Sequence, residues 1–287
     1  MKSGTVALIG RPNAGKSTLI NRIIGQKVAI TSPKPQTTQF SIQAAYDDPA
    51  VGNTPSRGQI LFLDTPGIFA KTKDPKLKEI NLEAEHVLKE DINAIVYVID
   101  PTRERGLEEN RVLGAVRKVN IPKLLVFNKT DKREKKYTEQ YKFLEDEFKD
   151  IVYVSALKGE NINQIIDWIF ENLPEGKEMF NAAYMPSKAL NVNSKLFIEE
   201  LIREKAFLRL RRELPYVVRV VVDTVEKRKG KDLVYIKARI LAPKRYKKMI
   251  IGLGGRRIKE IGSMSRNELE IATGNKIYLD LNVDEDR

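Results

Sequence analysis

Along the first 173 residues, short runs of β-branched apolar residues alternate with segments whose apolar positions recur at helical spacing. This pattern predicts strands that alternate with helices. Only a Gly/Pro-rich loop, 47–58, separates the second and third strands, so we expect these two to be antiparallel and the other connections to be crossovers. The result is an α/β domain, a mixed six-stranded sheet with helices on both faces. The predicted strands are 5–9, 39–46, 59–63, 94–99, 123–127 and 151–154.

A second pattern begins after Pro174 and Gly176, which end the last helix of the first part. Its order is helix, strand, strand, helix pair, strand, which predicts a smaller α+β domain. In its middle strand, alternate apolar residues should face inward while Lys237 and Arg239 face outward. The predicted elements are a helix at 195–211 and strands at 217–225, 233–241 and 276–283. We predict domains at 1–176 and 194–287, joined by a linker at 177–193.

The composition fits a folded protein, with 41% apolar and 31% charged residues. No apolar run approaches the roughly 20 residues of a membrane span, and the first one, 6–9, is too short for a signal peptide. Cysteine is absent, which excludes disulfides, thiolate catalysis and cysteine zinc sites. We therefore expect a soluble cytoplasmic protein.

The net charge of +12 is concentrated in the second part of the chain. Residues 1–180 carry 27 Lys and Arg against 25 Asp and Glu, whereas residues 181–287 carry 24 against 14. A cationic surface of this kind attracts phosphate backbones by releasing counterions. We therefore expect a polyanion to bind the second domain, with an affinity that falls with salt.

Residues 10–17, GRPNAGKS, fit the phosphate-binding pattern GxxxxGKS and lie between a predicted strand and a helix. Backbone N–H groups of such a loop surround phosphates, Lys16 neutralises their charge, and Ser17 ligates Mg²⁺. The predicted phosphate-binding residues are Gly10, Arg11, Pro12, Asn13, Ala14, Gly15, Lys16, Ser17 and Thr18.

The base is predicted to bind at residues 128–131, NKTD, which follow the strand at 123–127. The Asp131 carboxylate can accept hydrogen bonds from guanine N1–H and the exocyclic amine, which adenine does not offer there. An isolated NKxD match also suits an ordinary polar turn, and the upstream phosphate loop favours the guanine interpretation. The predicted base-binding residues are Asn128, Lys129 and Asp131, with backbone N–H groups of Ser155, Ala156 and Leu157 near guanine O6.

The sequence DTPG, 64–67, ends the third strand, where Asp64 would hold Mg²⁺ and the Gly67 amide would sense the γ-phosphate. Ile68 follows, so the water-orienting glutamine of Ras-type enzymes is missing. We expect slow in-line attack by water, with Lys16, Mg²⁺ and backbone N–H groups stabilising the transferred charge.

His86 is interpreted as structural. Four arginines are candidate charge stabilisers, although we favour a plain surface role for each: Arg11, Arg57, Arg103 and Arg105.

These motifs, in this order and spacing, resemble the Era family of translation-factor-related GTPases. The resemblance implies GTP/GDP and Mg²⁺ as ligands, and K⁺ beside the phosphates at Asn13. It also implies a magnesium ligand from the paired threonines; we favour Thr38, and Thr37 stays open. The predicted catalytic residues are Lys16, Thr38 and Gly67, and the predicted magnesium ligands are Ser17, Thr38 and Asp64.

Residues 237–259 contain nine Lys or Arg and no Asp or Glu, and they enclose the segment IGLGG at 251–255. A GxxG turn between helices clamps single-stranded backbone in KH domains, although alone it is also an ordinary helix–helix turn. The element order is that of the bacterial-type, type II KH fold. The predicted RNA-binding residues are Lys237, Arg239, Lys244, Arg245, Lys247, Lys248, Ile251, Gly252, Leu253, Gly254, Gly255, Arg256, Arg257 and Lys259.

The Era resemblance implies that this domain binds the 3′ end of small-subunit ribosomal RNA during maturation of the 30S subunit. Two features depart from the family: Leu253 and Gly254 stand where a basic residue is common, and residues 284–287 are not followed by the usual aromatic and basic segment. We expect a monomer and no DNA partner. The alternatives are an RNA chaperone with negligible turnover and a GTPase held peripherally at the cell membrane by the helix at 195–211.

Overall fold

The structure is a computed structural model that describes residues 1–25, 42–48, 55–64, 91–132, 137–180, 195–210, 214–227 and 233–286. The chain divides into two compact units, one around a six-stranded sheet and the other around a three-stranded sheet. Among the described residues, no helix combines the length and apolarity needed to cross a membrane.

The first unit contains the mixed six-stranded sheet that the sequence predicts, in the order β2-β3-β1-β4-β5-β6. Strands β2 and β3 are antiparallel, and the remaining neighbours are parallel. The carboxyl ends of β1, β3, β4 and β5 therefore lie at one edge, where open α/β sheets bind ligands. The strands are β1 (Lys2–Ile9), β2 (Ile42–Asp47), β3 (Gly58–Asp64), β4 (Ala94–Ile99), β5 (Lys123–Phe127) and β6 (Asp150–Tyr153).

Every residue of β4 is buried, which requires cover on both faces of the sheet. On one face, Tyr97 and Phe127 pack with Val112 of the helix at 107–117 and with Tyr141. The last helix of this unit buries an apolar stripe that includes Ile165. The helices are α1 (Lys16–Ile24), α2 (Leu107–Arg117), α3 (Phe143–Glu147) and α4 (Ile162–Asn172), with a 3-10 turn at Thr138–Tyr141.

The chain that leaves α4 is held against the strands of this unit. The buried Gln59 side chain donates to the Phe180 carbonyl (2.7 Å) and accepts from the Met179 N–H (2.8 Å). The first residues of the predicted linker are thus anchored on β3. Residues 181–194 lie outside the described residues, so the linker and its boundaries stay predictions.

The second unit has the predicted order of helix, two strands, two helices and a strand, with one additional short helix, Leu214–Val217, before the first strand. Val217, predicted as the first residue of that strand, belongs to this short helix. Strands β7 and β8 are antiparallel, and β8 and β9 are parallel. Ile236, Ala238 and Ile240 are buried, so the predicted alternation of β8 is confirmed. The elements are α5 (Lys195–Arg209), α6 (Leu214–Val217), β7 (Arg219–Lys227), β8 (Leu233–Ala242), α7 (Lys244–Ile251), α8 (Arg256–Thr273) and β9 (Lys276–Glu285).

Candidate nucleotide site and nucleic-acid surface

The GRPNAGKS loop connects the carboxyl end of β1 to the first turn of α1, as the sequence predicts. Gly15 has a φ of 99°, a backbone conformation that side chains rarely adopt, and a Cβ there would lie 2.2 Å from Asn128 Nδ2. A larger residue would therefore displace Asn128. The loop places the N-terminus of α1 at the ligand-binding edge of the sheet, where it favours an anion.

Lys16 is buried inside this loop. Its Nζ donates to the carbonyl oxygens of Gly10 (3.1 Å) and Arg11 (3.3 Å). Burial lowers the pKa of Lys16, while the nearby carboxylates of Asp64 and Glu109 act in the opposite direction. Both hydrogen-bond partners are neutral carbonyls, so the ammonium can turn toward an incoming phosphate.

Ser17 and Asp64, both predicted magnesium ligands, lie in contact with each other. The Ser17 hydroxyl donates to Asp64 Oδ2 (2.6 Å), and Asp64 Oδ1 is buried without a hydrogen-bond partner among the described residues. Burial raises the pKa of Asp64 to about 6, although Lys16 and the Ser17 hydrogen bond act to lower it. A buried carboxylate oxygen without a partner beside a hydroxyl is a donor set that fits a hard cation such as Mg²⁺.

Asn128 joins the phosphate loop to the base-binding segments. Its Nδ2 donates to the Ala14 carbonyl (2.9 Å), and its Oδ1 accepts from the N–H groups of Lys129 (2.7 Å) and Ala156 (3.0 Å). Lys129 extends the same connection by donating from Nζ to the Asn13 carbonyl (2.8 Å). The loops that follow β1, β5 and β6 thus form one hydrogen-bonded framework.

Asp131 lies beside the third of these loops. Its Oδ1 accepts a hydrogen bond from the Ser155 hydroxyl (2.7 Å), which also accepts one from the Lys158 N–H (3.1 Å). Ser155 is fully buried, so it fixes both the carboxylate and the turn that follows. The structure thereby brings together the residues that the sequence predicts for base binding.

Several predicted residues lie outside the described residues. These are Thr37, Thr38, Gly67, Ile68 and His86. Their roles in magnesium binding, γ-phosphate sensing and catalysis stay predictions.

Arg11 is neither the charge stabiliser nor the surface residue that the sequence suggested. It is buried, and its guanidinium pairs with Glu109 (3.2 Å) and donates to the Asp100 carbonyl (2.8 Å). The Tyr97 hydroxyl donates to the other oxygen of Glu109, which leaves this carboxylate held by two groups. The Arg11 side chain is thus committed to a buried network beneath the loop, and only its backbone is available to phosphates.

Arg57 is not a charge stabiliser, and its 40% exposed side chain agrees with the favoured surface role. It precedes β3, whereas Asp64 ends that strand, so the two lie at opposite edges of the sheet. Its guanidinium pairs with Asp48 (2.9 Å) and Asp167 (2.7 Å). Arg103 does lie near the phosphate loop, because it donates to the Pro12 carbonyl (2.9 Å).

Arg105 stacks over the Phe143 ring, with 4.3 Å between its guanidinium carbon and the ring centroid. Phe143 is the first residue of α3, so Arg105 packs against this helix.

Three residues of the site were missed by the sequence analysis. Asp100 accepts from Lys129 Nζ (2.6 Å), Glu109 pairs with Arg11, and Arg22 contacts the loop after β6. Glu109 carries a visible signal, because it shares its helix face with Val112, Leu113 and Val116. A carboxylate on an apolar stripe indicates a buried partner.

In the second unit, the predicted GxxG turn connects α7 to α8. Gly252 has a φ of 75°, and a Cβ there would lie 2.8 Å from the Arg257 Cβ. The turn therefore requires glycine at this position. The Arg257 guanidinium donates to the Met249 carbonyl, which closes the turn, while Leu253 at its tip is 88% exposed.

The residues of the predicted basic patch lie on different elements, and Asp284 pairs with two of them, Arg239 of β8 and Lys247 of α7. Lys237 and Arg239 project from the face of β8 opposite to Ile236 and Ala238. Arg239 is paired with Asp223 (2.7 Å) and with Asp284, residues of the two neighbouring strands. The sequence placed these cations with the GxxG turn because they are close along the chain, and strand alternation separates them from it.

The remaining cations lie on α7, on the turn and on the start of α8. Beside α8 and β9 lies a groove of about 320 Å³ whose lining includes Lys259 and Arg266. Arg266 follows Lys259 by seven residues, two helical turns, so helix periodicity places both on the same face. The groove is lined by Ile258, Lys259, Gly262, Ser263, Arg266, Leu279 and Leu281.

Comparisons with known proteins agree with both units. Residues 5–129 match a family model described as "50S ribosome-binding GTPase", and residues 213–285 match one described as "KH domain". The GTPase Era of Halothermothrix orenii is 39% identical over 290 residues, which cover 98% of this chain and 92% of that protein.

Two solved Era structures are similar over the whole chain. Each is 33% identical in sequence, with a TM-score of 0.86, and the match covers 100% of this chain and 94% of the Era chain. One is an Aquifex aeolicus Era variant bound to GDP·AlF4⁻, and the other is Era in complex with MgGDPNP and nucleotides 1506–1542 of 16S ribosomal RNA. The chain belongs to the Era family of GTPases.

Proposed function

We propose that the chain is a nucleotide-controlled switch that binds and hydrolyses GTP in its first unit and binds small-subunit ribosomal RNA near the 3′ end through its second. Its role would be in assembly of the 30S subunit. The observation that carries the nucleotide half is the Asn128 side chain, which bonds the phosphate loop at Ala14 and the base loop at Ala156. A purine nucleotide that spans these two loops would fit this framework.

For the phosphates, we propose that the backbone N–H groups of residues 10–18 and the Lys16 ammonium bind the nucleotide. Ser17 and Asp64 would hold Mg²⁺, and the unpartnered Asp64 Oδ1 supports this assignment. Bound there, Mg²⁺ would neutralise charge on the phosphate oxygens. Thr38 and Gly67 are proposed to complete the site, and K⁺ at Asn13 remains a proposal from the family resemblance.

For the hydrolysis, Lys16 is proposed to stabilise the charge that develops on the transferred phosphoryl group. A buried ammonium is effective here because little water screens it. With isoleucine at position 68, no glutamine follows the DTPG sequence to orient the attacking water. Slow turnover by the chain alone is the expected consequence.

The purified full-length chain with Mg²⁺ is expected to release phosphate from GTP and to bind adenosine nucleotides far more weakly. The reason is that adenine would leave the Asp131 carboxylate facing an acceptor instead of two donors. Phosphate release and calorimetry with GDP and ADP would measure this. Equal affinity for the two nucleotides would contradict the proposal.

For the RNA, the relative that holds nucleotides 1506–1542 of 16S ribosomal RNA supports the same class of ligand for this chain. The exposed Arg256 and Lys259 and the groove that contains Arg266 are proposed to bind the phosphate backbone beside the Gly252–Gly255 turn. The N-terminus of α8, which begins at Arg256, adds favourable potential for an anion.

A ribosomal partner implies action in the cytoplasm. The membrane alternative relied on apolar residues of α5. Four of them, Phe197, Leu201, Ile202 and Phe207, are each at most 4% exposed, whereas Leu208 is 41% exposed. The four buried side chains are used in packing, so we propose no membrane role for this helix.

Neutralising Arg256 and Lys259 with glutamine is expected to weaken RNA binding and to reduce the salt dependence of the affinity by about two phosphate contacts. RNA binding releases fewer counterions when fewer protein cations contact the phosphates. The measurement is the slope of log K against log salt for a single-stranded oligonucleotide of the small-subunit 3′ sequence.

Lys237→Gln is the matched control, because Lys237 is an exposed cation on the face of β8 opposite to the buried Ile236 and Ala238. Its slope should equal that of the parent protein. A loss of slope in Lys237→Gln with none in the Arg256/Lys259 variant would move the RNA surface to the outer face of the sheet.

A further inference from the structure

We propose that Arg22 is a positioning residue that sets recognition of the guanine 6-oxo group by fixing the backbone of the loop after β6. This inference rests on the proposed binding of GTP and names one determinant of its base specificity.

Arg22 lies in the last turn of α1 and reaches the loop with two donors. Its Nε donates to the Ala156 carbonyl (3.3 Å), and its Nη2 donates to the Leu157 carbonyl. Gly159 has a φ of 81°, and a Cβ there would lie 3.3 Å from the Arg22 Cδ and Nε. The loop therefore wraps closely around the guanidinium.

The other N–H groups of this loop are already used. The Ala156 N–H donates to Asn128, the Lys158 N–H to the Ser155 hydroxyl (3.1 Å), and the Gly159 N–H to the Ser155 carbonyl (2.7 Å). The Ser155 N–H donates to Glu160 (3.3 Å). Within the described part of the chain, the Leu157 N–H makes no hydrogen bond.

The Ala156 carbonyl and the Leu157 N–H belong to one planar peptide group. A hydrogen bond that holds this carbonyl therefore also fixes the direction of the N–H on its other side. We assign the Leu157 N–H as the donor to guanine O6, and Arg22 as the group that aims it.

The location of Arg22 suits this role. Helix α1 begins with Lys16 and Ser17 at the phosphate end and has nine residues. At 1.5 Å per residue it extends for roughly 13 Å. A cation in its last turn is favoured by the helix dipole. A guanidinium can bond two carbonyls in a fixed plane, whereas an ammonium cannot.

The test compares Arg22→Met with the parent protein, using GDP, 6-thio-GDP and IDP with Mg²⁺ and the full chain. In 6-thio-GDP a larger, weaker acceptor replaces O6, while IDP keeps O6 and lacks the 2-amino group that Asp131 reads. We expect GDP and IDP to bind about 5-fold more weakly, the effect of one hydrogen bond, and 6-thio-GDP to change little. The preference for GDP over 6-thio-GDP therefore falls about 5-fold, and the preference for GDP over IDP stays constant.

Lys142→Met is the matched control, since Lys142 is an exposed cation that pairs with Glu139 on the surface. It should leave all three affinities at the parent values. Arg22→Lys keeps the charge but cannot bond both carbonyls in one plane, so it should resemble Arg22→Met in these ratios.

Equal weakening of all three nucleotides by Arg22→Met, or no weakening, would overturn the inference. So would full recovery by Arg22→Lys. The proposed function fails separately, if the parent protein does not prefer GDP to ADP. If the parent protein prefers GDP to ADP but Arg22→Met leaves the ratio of 6-thio-GDP to GDP affinity unchanged, only the role of Arg22 is overturned.

Discussion

Replacing Asp131 with asparagine is expected to weaken GTP binding by roughly 10²–10⁴-fold and to create a preference for xanthosine triphosphate. The carboxylate would accept two hydrogen bonds from guanine, and each bond to a charged group contributes about 1.5–3 kcal/mol. Xanthine has a carbonyl where guanine has the amine, so the amide of the variant can donate to it. The Ser155 hydroxyl, now bonded to Asp131 Oδ1, can still donate to an amide oxygen, which preserves the loop.

Competition of GTP and xanthosine triphosphate for one labelled nucleotide would measure this change. Asp146→Asn is the matched control, because Asp146 is an exposed carboxylate on α3. Its base preference should equal that of the parent. An unchanged preference in Asp131→Asn would show that the base is read elsewhere.

Replacing Lys16 with methionine is expected to reduce kcat for GTP hydrolysis by about 10²–10³-fold, the usual effect of removing one charged or polar group that stabilises a transition state. Methionine retains much of the aliphatic volume at this buried position and removes the ammonium. GDP binding should fall less, because the backbone N–H groups of the loop remain. Single-turnover phosphate release, at nucleotide concentrations that saturate each variant, separates the chemical step from binding.

Lys118→Met provides the comparison, since Lys118 is an exposed cation at the end of α2. It should retain parent turnover. A kcat for Lys16→Met within a few-fold of the parent value would show that Lys16 contributes to binding alone.

The strands and most of the nucleotide site follow from local sequence patterns. The apolar runs at 94–99 and 124–127 lie in β4 and β5, because the residues of a strand that is buried on both faces must be apolar. The GxxxxGKS and NKTD segments lie after β1 and β5 as predicted. The loop geometry there depends on glycines and polar residues that the motif itself contains.

Contacts between residues that are distant along the chain could not be predicted from local sequence patterns. Arg11 occupies a variable position of GxxxxGKS, so the motif says nothing about its side chain, and its partner Glu109 belongs to another helix. The basic run at 237–259 contains no acidic residue, yet Asp223 and Asp284 reach Arg239 from the adjacent strands. Charge counted along the sequence therefore overestimates the free cations of this surface.

The Arg11–Glu109 pair constrains how the protein can vary. Removing one member of a buried ion pair leaves an isolated charge, whereas a matched apolar replacement of both is often tolerated. Substitutions at positions 11 and 109 should therefore be strongly non-additive. In a set of diverged sequences, the two positions are expected to change together or not at all, which ties the first loop of the chain to a helix almost a hundred residues later.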